Sequence, residues 1–396
     1  MEEKEIMAEN AKSLQEILKG IEKSYGKGIT TIGVGDRPAR ETFSLGTPGF
    51  DFCTYNSIPQ GVFIELLGPE QSGKTTCAFL MAADYIRKEK KKPIESRRKI
   101  LFVDAEGTAD SQWALNSTGY DMNDEDIQTI YLTPLGQSAE QIFDMVIDLV
   151  KTGEIGLVIF DSLVAIAPQQ INDESMEKKD MGGLASVLKY FVTKATGVFN
   201  RYRTTFIGIN GTTMNLSPYG NPETSPGGTY WKRACSLRLK FKRGEFFDED
   251  GNTLKGSAES PAGHVIEMAV LKTKFCRWDR KLGRCHLNYT KGIDVLQDTI
   301  ELACRSDFDI IREPSKGWFV VVDPDTGEAL TDKIHGINNV APFFKEHVDV
   351  WRKVYDKVYE KLSTKDDPNI VSFEKMLGIN VGESFNVDFV KEGEEQ

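Results

Sequence analysis

Residues 68–75 read Gly68-Pro69-Glu70-Gln71-Ser72-Gly73-Lys74-Thr75 and match the phosphate-binding loop G-x-x-x-x-G-K-(S/T) at every fixed position. The apolar run at 62–67 before this loop predicts a buried strand, and residues 76–86 after it predict a helix. The motif requires this context, because the N–H groups of the loop and the N-terminus of the helix together bind phosphate. A chance glycine-rich turn is the alternative, and the agreement of motif and context argues against it. We therefore expect Lys74 to reach the β- and γ-phosphates of a nucleotide and the Thr75 hydroxyl to contact Mg²⁺.

The composition is typical of a globular chain. With 396 residues, 40% of them hydrophobic and 28% charged, the chain is long enough for about two or three domains. It has no apolar run of about 18 residues, so we expect no membrane span, and its charged start lacks an apolar signal core. Six scattered cysteines without a C-x-x-C pair favour reduced thiols, a cytoplasmic location and no zinc site. The net charge of -11 argues only weakly against nucleic acid as a partner, because segregated charge can still form a basic surface.

Apolar strand-like runs alternate with helix-like segments from about residue 40 to 285. The clearest runs lie at 62–67, 100–104, 156–161 and 205–210. Such alternation predicts an α/β fold with a mostly parallel central sheet. Later runs at 235–242 and 265–274 extend the sheet, and a polar hairpin-like stretch at 246–260 separates them.

The two ends of the chain differ from this central part. Residues 1–30 predict one amphipathic helix, which Gly26 and Gly28 end. Beyond about residue 288, the pattern predicts a helix at 289–304, a strand at 317–322 and a helix at 340–362, which together indicate a small C-terminal α/β domain. The last residues are acidic, with a composition typical of disorder. We therefore expect an N-terminal helix at 1–35, a core at 36–287, a C-terminal domain at 288–380 and an acidic tail at 381–396.

Two acidic residues follow predicted strands and complete a site for nucleotide hydrolysis. Asp161 ends the strand at 156–161, where P-loop enzymes carry the aspartate that orients Mg²⁺; its alternative role is to cap the next helix. Glu106 follows the strand at 100–104, where a carboxylate can align and polarise the attacking water. Asp104 is more typical of a structural residue at a strand end.

Two features indicate nucleic-acid binding despite the acidic net charge. Long segments follow strands at 169–183 and 211–229. Six cations without an intervening acid then fall close together, at Lys232, Arg233, Arg238, Lys240, Lys242 and Arg243. A second cluster comprises Lys272, Lys274, Arg277, Arg280, Lys281 and Arg284. Each phosphate contact would add salt-dependent affinity, whereas the alternative is a set of solvated side chains on an exposed strand face.

Several motifs in one order resemble the bacterial and phage RecA family of recombinases. They lie at 21–28, 68–75, 104–106, 161–162, 181–182, 220–224 with 227–228, and 272–274. The order is specific, and GNPET at 220–224 followed by two glycines is the most diagnostic piece, since other ATPases of this fold lack it. The resemblance covers about residues 14–330 and implies a RecA-type P-loop ATPase core with ATP and Mg²⁺ as cofactors.

The resemblance implies roles at the nucleotide phosphates. Lys74 with the rest of the loop 68–75, and Thr76 after it, match the residues that hold ATP. Thr75 and Asp161 match the residues that hold Mg²⁺, and Glu106 matches the residue that activates water.

The resemblance also implies contacts to the base and to a second subunit. Trp113 falls where the family places an aromatic ring against adenine, and Asp110 falls where it reads the edge of the base. Lys272 and Lys274 match the pair that reaches the γ-phosphate of a neighbouring subunit, so that ATP joins the two. The N-terminal helix resembles the arm that packs on the next protomer of a homo-oligomeric helical filament.

DNA contacts are implied in both long segments. The segment 169–183 resembles the first DNA-binding loop, with Met181 as a wedge between bases next to Gly182. The segment 211–228 resembles the second loop, and its matching residues are Gly220, Asn221, Gly227 and Gly228. Lys242 and Arg243 match basic positions of the duplex-binding surface. Single-stranded and double-stranded DNA are therefore the expected partners.

The chain departs from the family pattern beside the second segment. Gly211 stands where the family has the glutamine that senses the γ-phosphate and moves that loop. Either Asn210 serves as the sensor or the coupling between ATP and DNA is altered. Arg233 replaces an aromatic interface residue, and no basic residue lies in the loop between Thr212 and Tyr230.

We expect a DNA-dependent ATPase that forms a helical filament on single-stranded DNA and catalyses homologous pairing and strand exchange in recombination and repair. A hexameric helicase or a clock-type ATPase of the same fold is one alternative, against which GNPET and the N-terminal helix argue. A DNA-binding or regulatory paralogue that is not an enzyme is another. Glu106, Lys272 and Lys274 argue against the paralogue, whereas the lost glutamine argues for it.

Overall fold

The computed structural model describes residues 13–26, 29–30, 40–169, 183–214, 223–255 and 260–363. The chain divides into two compact units, Met1–Glu41 and Thr42–Gln396. In the first unit, helix α1 spans Leu14–Tyr25, begins at a capping box of Ser13 and Glu16, and ends at Gly26. The predicted helix is confirmed over Leu14–Tyr25 and ends at Gly26, but the prediction of one helix across 1–30 is wrong, because Ser13 caps the N-terminus of α1 and residues 29–30 are not helical.

The second unit contains the remaining described strands and helices. Its strands are β1 Thr42–Phe43, β2 Ile58–Pro59, β3 Phe63–Leu67, β4 Lys99–Asp104, β5 Thr129–Leu132, β6 Ile155–Asp161, β7 Thr205–Asn210, β8 Thr213–Met214, β9 Glu223–Thr224, β10 Leu237–Phe247, β11 Thr253–Leu254, β12 Gly263–Thr273, β13 Leu282–Asn288, β14 Gly292–Ile293, β15 Ile311–Ser315, β16 Trp318–Val321 and β17 Ile334–His335. Its helices are α2 Pro48–Thr54, α3 Lys74–Glu89, α4 Ser111–Thr118, α5 Ala139–Lys151, α6 Gly183–Tyr202, α7 Gly228–Ala234, α8 Val295–Ala303, α9 Val340–Glu346 and α10 Val348–Ser363.

Within these residues, ten strands form the central sheet in the order β14-β13-β12-β10-β3-β7-β6-β4-β5, with β11 paired to β10 as the predicted hairpin. The strands from β10 to β5 run parallel, and β12 to β14 add an antiparallel edge. The predicted α/β fold with a mostly parallel central sheet is confirmed. Carboxyl ends of parallel strands meet at one edge, and the register there pairs Leu67 with Asn210 and Asp104 with Asp161.

Side chains of the parallel strands alternate between two hydrophobic layers. Ile64 and Leu66 of β3 join a cluster with α3, whereas Phe63 joins a cluster with α5 and α6. In the second cluster, Phe143 of α5 and Phe191 of α6 stack with their ring centroids 4.2 Å apart. Because both faces are covered, β3 is buried along its whole length. This packing fixes the position of the loop that follows β3.

The C-terminal part adds an antiparallel sheet of β15, β16 and β17, and the helices α8 to α10. Ile300 of α8 and Val354 of α10 share a hydrophobic cluster with Phe50 of α2, and the predicted domain boundaries stay a prediction. The predicted helix at 340–362 is wrong in one respect, because it is divided between α9 and α10. The division falls at His347, whose Nδ1 lies 3.0 Å from a carbonyl oxygen of α9. Of the helices in the described ranges, none combines the length and the apolar character that crossing a membrane requires.

Candidate active site

The phosphate-binding loop connects β3 to α3, as its motif predicts. Gly73 caps α3 with a left-handed φ of +90°, so the unpaired N–H groups of the first helical turn adjoin the loop. A Cβ on Gly68 would lie 2.5 Å from a backbone carbonyl oxygen of β10, which excludes any larger residue. The Ser72 hydroxyl and the Lys74 ammonium group both donate to the Pro69 carbonyl oxygen, at 2.7 and 2.6 Å. Burial lowers the pKa of Lys74, so a bound phosphate would favour its charged form.

One of the other residues of the loop, Gln71, contacts β10. Glu70 and Gln71 are exposed, and Thr76 is buried in the first turn of α3. Gln71 Oε1 accepts a hydrogen bond from Arg243 Nη1 at 3.4 Å, so this cation lies beside the phosphate loop. Its neighbour Lys242 pairs with a carboxylate of β12 at 3.4 Å and keeps 72% of its side chain exposed. Both cations lie on an exposed part of β10 that a polyanion can reach.

Thr75 and Asp161 meet at the carboxyl edge of the sheet. Thr75 Oγ1 donates to Asp161 Oδ2 at 2.9 Å. Burial raises the pKa of the Asp161 carboxyl to about 6, against the opposing effect of this hydrogen bond. A hydroxyl and a carboxylate oxygen are ligands of the kind that Mg²⁺ takes, and a cation would favour the ionised carboxylate. The pair fits the predicted metal role, which stays a prediction.

Glu106 lies beside Asp161 in the turn after β4. Ala105 and Glu106 both donate their backbone N–H groups to the Asp161 carbonyl oxygen, at 2.6 and 3.3 Å. Ser162, which is joined to Asp161 by a cis peptide bond, donates its hydroxyl to Glu106 Oε1 at 2.5 Å. The candidate water-activating residue and the candidate metal ligand therefore occupy adjoining strand ends.

Asp104 organises the turn that presents Glu106. Its carboxylate accepts three backbone N–H groups from residues 107–109 at 2.8 to 3.3 Å, and it also accepts the Tyr131 hydroxyl. With these partners the carboxylate is committed to holding the turn. The interpretation of Asp104 as a structural residue at a strand end is confirmed.

Asp110 begins α4. Its Oδ1 accepts the N–H groups of Gln112 and Trp113 at 2.9 and 3.0 Å, which makes it the N-cap of the helix. Trp113 is half-buried against the core. Helix capping is a sufficient structural role for Asp110 in the absence of any ligand. The contacts of Asp110 and Trp113 with adenine therefore stay predictions.

Asn210 is fully buried at the end of β7. Its Nδ2 donates to Glu65 Oε1 at 2.8 Å and to the Pro226 carbonyl oxygen at 3.0 Å, so both amide protons are used. Its Oδ1 has no hydrogen-bond partner among the residues that the structure describes. A phosphate oxygen is an acceptor, so Asn210 can contact one only by releasing Glu65 or Pro226. The predicted contact of Asn210 with ATP stays a prediction.

Lys272 and Lys274 lie at the end of β12, away from the phosphate loop. The register pairs Thr273 with Leu237 at the start of β10, whereas the loop follows the carboxyl end of β3. Lys272 Nζ donates to two carbonyl oxygens at the C-terminus of α7, at 2.7 and 3.0 Å, and Lys274 Nζ donates to the second of them at 3.1 Å. A helix C-terminus favours such cations. Neither lysine forms a hydrogen bond with the phosphate loop of the same chain in the described ranges.

The run of six cations before and along β10 does not form one surface. Arg238 Nε lies 2.5 Å from Oε2 of Glu65, an acid inside an apolar strand, and Lys240 Nζ lies 2.5 Å from Glu223 Oε2. Sequence reasoning does not identify Glu65, although a charge in an apolar run is a sign that it needs a buried partner. The charges of Arg238 and Lys240 are therefore compensated by carboxylates of the same chain.

The predicted DNA-binding residues of the two long segments have different outcomes. Gly227 and Gly228 have left-handed φ values of +97° and +74° at the start of α7. A Cβ on Gly227 would lie 2.6 Å from Leu188 Cδ1, and one on Gly228 would lie 3.0 Å from Ala185 Cβ. Close packing of α7 on α6 therefore accounts for both glycines, and their DNA contact stays a prediction. The others lie outside the described residues: Met181, Gly182, Gly220 and Asn221.

Comparisons with known proteins agree with this architecture. A family model described as the RecA N-terminal domain matches residues 12–294. Protein RecA of Campylobacter hominis is 29% identical over 370 residues, which cover 91% of this chain and 96% of that relative. Protein RecA of Nitratiruptor sp. is 28% identical over 92% of this chain and 97% of the relative, and that of Mycoplasma mycoides is 30% identical over 85% and 90%. The family model matches well over half of the residues of this chain, and the chain therefore belongs to the RecA family.

Proposed function

We propose that this chain is a DNA-dependent ATPase of homologous recombination and repair, which assembles as a filament on single-stranded DNA and promotes strand exchange. Membership of the RecA family supports the ATPase activity and the role in recombination. One observation carries the proposal. The phosphate loop, the Thr75–Asp161 pair and the Ser162–Glu106 pair meet at one edge of the sheet. Nucleotide binding needs only the loop and the Thr75–Asp161 pair, whereas hydrolysis also needs the Ser162–Glu106 pair.

Each part has a separate task in hydrolysis. The loop and Lys74 would hold the phosphates, and Thr75 and Asp161 would hold Mg²⁺, which neutralises phosphate charge when bound. Glu106 has an orientation fixed by Ser162 and would accept a proton from the attacking water. The water oxygen forms a bond to the γ-phosphorus, and the bond from that phosphorus to the bridging oxygen breaks, leaving ADP and phosphate.

The positions of Lys272 and Lys274 favour a role between subunits. Their ammonium groups lie at the C-terminus of α7, whereas the phosphate loop lies at the carboxyl edge of the sheet. We infer that they act on ATP bound to the next chain. Such a contact joins two different surfaces and, when it does not close, repeats into an open helical filament.

DNA would be held mainly through its backbone. Lys242 and Arg243 are exposed on β10, and cations at such positions contact phosphates without reading the bases. The segments 169–183 and 211–229 would supply the remaining contacts to single-stranded DNA. Binding should therefore be largely independent of sequence and should weaken as salt is added.

The test is ATP turnover measured with and without single-stranded DNA. We expect DNA-stimulated hydrolysis in the wild-type chain and background hydrolysis in Lys74→Ala, because this change removes the cation at the phosphates. Lys91→Ala is the control, since Lys91 is an exposed lysine just beyond the other end of α3, and it should keep the wild-type rate. Full DNA-stimulated turnover in Lys74→Ala would contradict the site.

The same preparations distinguish the alternatives. Negligible wild-type hydrolysis under both conditions would favour a paralogue that only binds nucleotide. The reason to test this alternative is that Gly211 replaces the family glutamine. Negative-stain microscopy with DNA and a non-hydrolysable ATP analogue separates an open filament from a closed ring. A ring would favour a helicase or a clock-type ATPase.

A further inference from the structure

A buried carboxylate lies in the strand that leads into the phosphate loop. Glu65 is in β3 and is fully buried. Its Oε1 accepts hydrogen bonds from Asn210 Nδ2 at 2.8 Å and from Trp231 Nε1 at 2.9 Å, and its Oε2 pairs with Arg238 Nε at 2.5 Å. These donors compensate the cost of placing a charge in the core. The hydrolysis reaction described above uses none of these contacts.

The partners of this carboxylate flank the segment 211–228. Asn210 precedes the segment, and its Nδ2 also donates to the Pro226 carbonyl oxygen at 3.0 Å. Arg238 Nη2 donates to Ser225 Oγ at 3.1 Å. One carboxylate therefore holds both ends of the segment, the start through Asn210 and the end through Pro226 and Ser225.

Trp231 adds helix α7 to the same network. The indole is fully buried, and its ring meets Phe63 of β3 and Phe206 of β7 edge-on, with centroids 6.2 and 5.8 Å away. The ring contacts and the N–H bond to Glu65 together fix α7 against β3. A displacement of the Glu65 carboxylate therefore reaches this helix as well as the ends of the segment.

Arg238 and Glu65 form a buried ion pair. Separating Arg238 from Glu65 would leave an unpaired charge in the core, which is strongly unfavourable, so the two groups move together. The sheet register places Glu65 opposite Arg238 of β10 and Gly208 of β7. Both neighbouring strands thus flank the charged residue of β3, which lies shortly before the phosphate loop.

We propose that Glu65 is a positioning residue that couples nucleotide binding at the loop 68–75 to the affinity of the chain for DNA. This inference rests on the proposed function, because it requires both ligands. Linkage makes the effect reciprocal: if ATP raises DNA affinity through Glu65, DNA raises ATP affinity by the same factor. The network provides a connection at the point where Gly211 has no side chain to offer.

The test uses the full chain and a fluorescein-labelled oligodeoxythymidylate. Anisotropy titrations give the Kd for DNA with a non-hydrolysable ATP analogue and with ADP, and the ratio of the two measures the coupling. We expect tighter wild-type binding with the analogue. Glu65→Gln keeps the shape of the side chain but removes its charge, so the ratio should fall by about fivefold or more. Affinity for the analogue without DNA should change by less than about twofold.

Two further variants separate coupling from general destabilisation. Trp231→Phe removes the indole N–H and keeps an aromatic ring in the core. Its ratio of the two Kd values should therefore lie between those of the wild-type chain and Glu65→Gln. Glu89→Gln is the matched control, because Glu89 is also fully buried and accepts Lys92 Nζ at 2.6 Å and Arg98 N at 3.0 Å. It lies at the other end of α3 from the phosphate loop and should keep the wild-type ratio.

The outcomes separate this inference from the proposed function. A wild-type ratio in folded Glu65→Gln, or an equal loss in Glu89→Gln, would overturn the coupling role and leave the ATPase assignment intact. If Glu65→Gln does not fold, a wild-type ratio in Trp231→Phe overturns the role instead. If the wild-type chain binds no DNA with either nucleotide, the proposed function is contradicted, and the inference with it.

Discussion

Two carboxylates at the carboxyl edge of the sheet differ in the donors that they meet. Asp104 accepts three backbone N–H groups and a tyrosine hydroxyl, which occupies about all the acceptor positions of a carboxylate. Glu106 accepts the Ser162 hydroxyl on Oε1, and this one bond leaves acceptor capacity for a water. The difference in partners, rather than in residue type, makes Glu106 the better candidate to act on water.

Removing the Ser162 hydroxyl should slow hydrolysis without weakening nucleotide binding. Ser162 is buried, and a carboxylate that has lost its anchor spends less time in the orientation that aligns water. We expect Ser162→Ala to lower kcat about tenfold and to leave KM for ATP within about twofold. Steady-state hydrolysis with saturating single-stranded DNA gives both constants. Ser162→Thr keeps a hydroxyl and should recover most of the rate, whereas a wild-type kcat in Ser162→Ala would show that Glu106 does not need this bond.

Asp51 should make the fold less stable as the pH rises. It is fully buried in α2, where it accepts Leu45 N at 2.6 Å and the Tyr359 hydroxyl at 3.3 Å. Burial raises its pKa from 3.8 to about 7, so between these values the folded chain keeps a proton that the unfolded chain has released. The free energy of unfolding therefore falls with rising pH across this window, by about 1.4 kcal/mol for each unit of pKa shift.

Asp51→Asn keeps the shape of the side chain and removes this titration. Urea unfolding between about pH 4 and about pH 7 should then give a flatter dependence of the unfolding free energy on pH than in the wild-type chain. Parallel pH profiles for the two chains would show that Asp51 is ionised in the fold throughout this range.

The local part of the site can be predicted from sequence, and the distant part cannot. Lys74 and Thr75 belong to one contiguous motif, and Asp161 ends an apolar run that marks its strand. The ion pair of Glu65 with Arg238 joins positions 173 residues apart, and no spacing in the sequence reveals it. The cost of burying a carboxylate predicts that a partner exists, but the sheet register decides which residue it is.

Strands are predictable where both faces of the sheet are covered. Runs at 62–67 and 205–210 nearly coincide with β3 and β7, because strands buried on both faces are continuously apolar. In contrast, β10 extends to Phe247, beyond the predicted end at 242, and its charged outer part has no apolar pattern. Helix α2 is short and wholly buried, so it has no polar face to give a helical period.

Gly227 should be required where α7 packs on α6. Its φ is +97°, and a Cβ added there would lie only 2.6 Å from Leu188 Cδ1. Gly227→Ala should therefore destabilise the fold by about 1–3 kcal/mol. Gly197 is the matched control, because it lies inside α6 and a Cβ there would meet nothing within 4 Å. Gly197→Ala should stabilise the fold by about 0.5–1 kcal/mol. Urea unfolding of both variants checks these signs, and equal effects would contradict the packing argument.

A single chain contains the parts of the proposed ATP site in two regions. The loop and the acids lie at the carboxyl edge of the parallel strands, whereas Lys272 and Lys274 lie at the end of β12 against α7. If the lysines act on ATP, they act on ATP held by another chain. The site would then be complete only in the assembly, and hydrolysis would report on contact between chains.

Mixing two inactive variants should restore hydrolysis if the site is shared. Lys74→Ala lacks the loop cation, and the double variant Lys272→Ala/Lys274→Ala lacks the proposed contribution to the neighbour, so each alone should show background turnover. In an equal mixture, some double-variant chains adjoin a Lys74→Ala chain. At such a contact, the double-variant chain supplies an intact phosphate loop and the Lys74→Ala chain supplies intact lysines. Random head-to-tail assembly makes about a quarter of the contacts intact, and DNA-dependent turnover should recover to about that fraction. An equal mixture of Lys74→Ala with Thr75→Ala is the control, because both changes damage the same side of the contact and no neighbour can supply what is lost. Background turnover in the first mixture, with mixed filaments visible by microscopy, would place the lysines outside the ATP site.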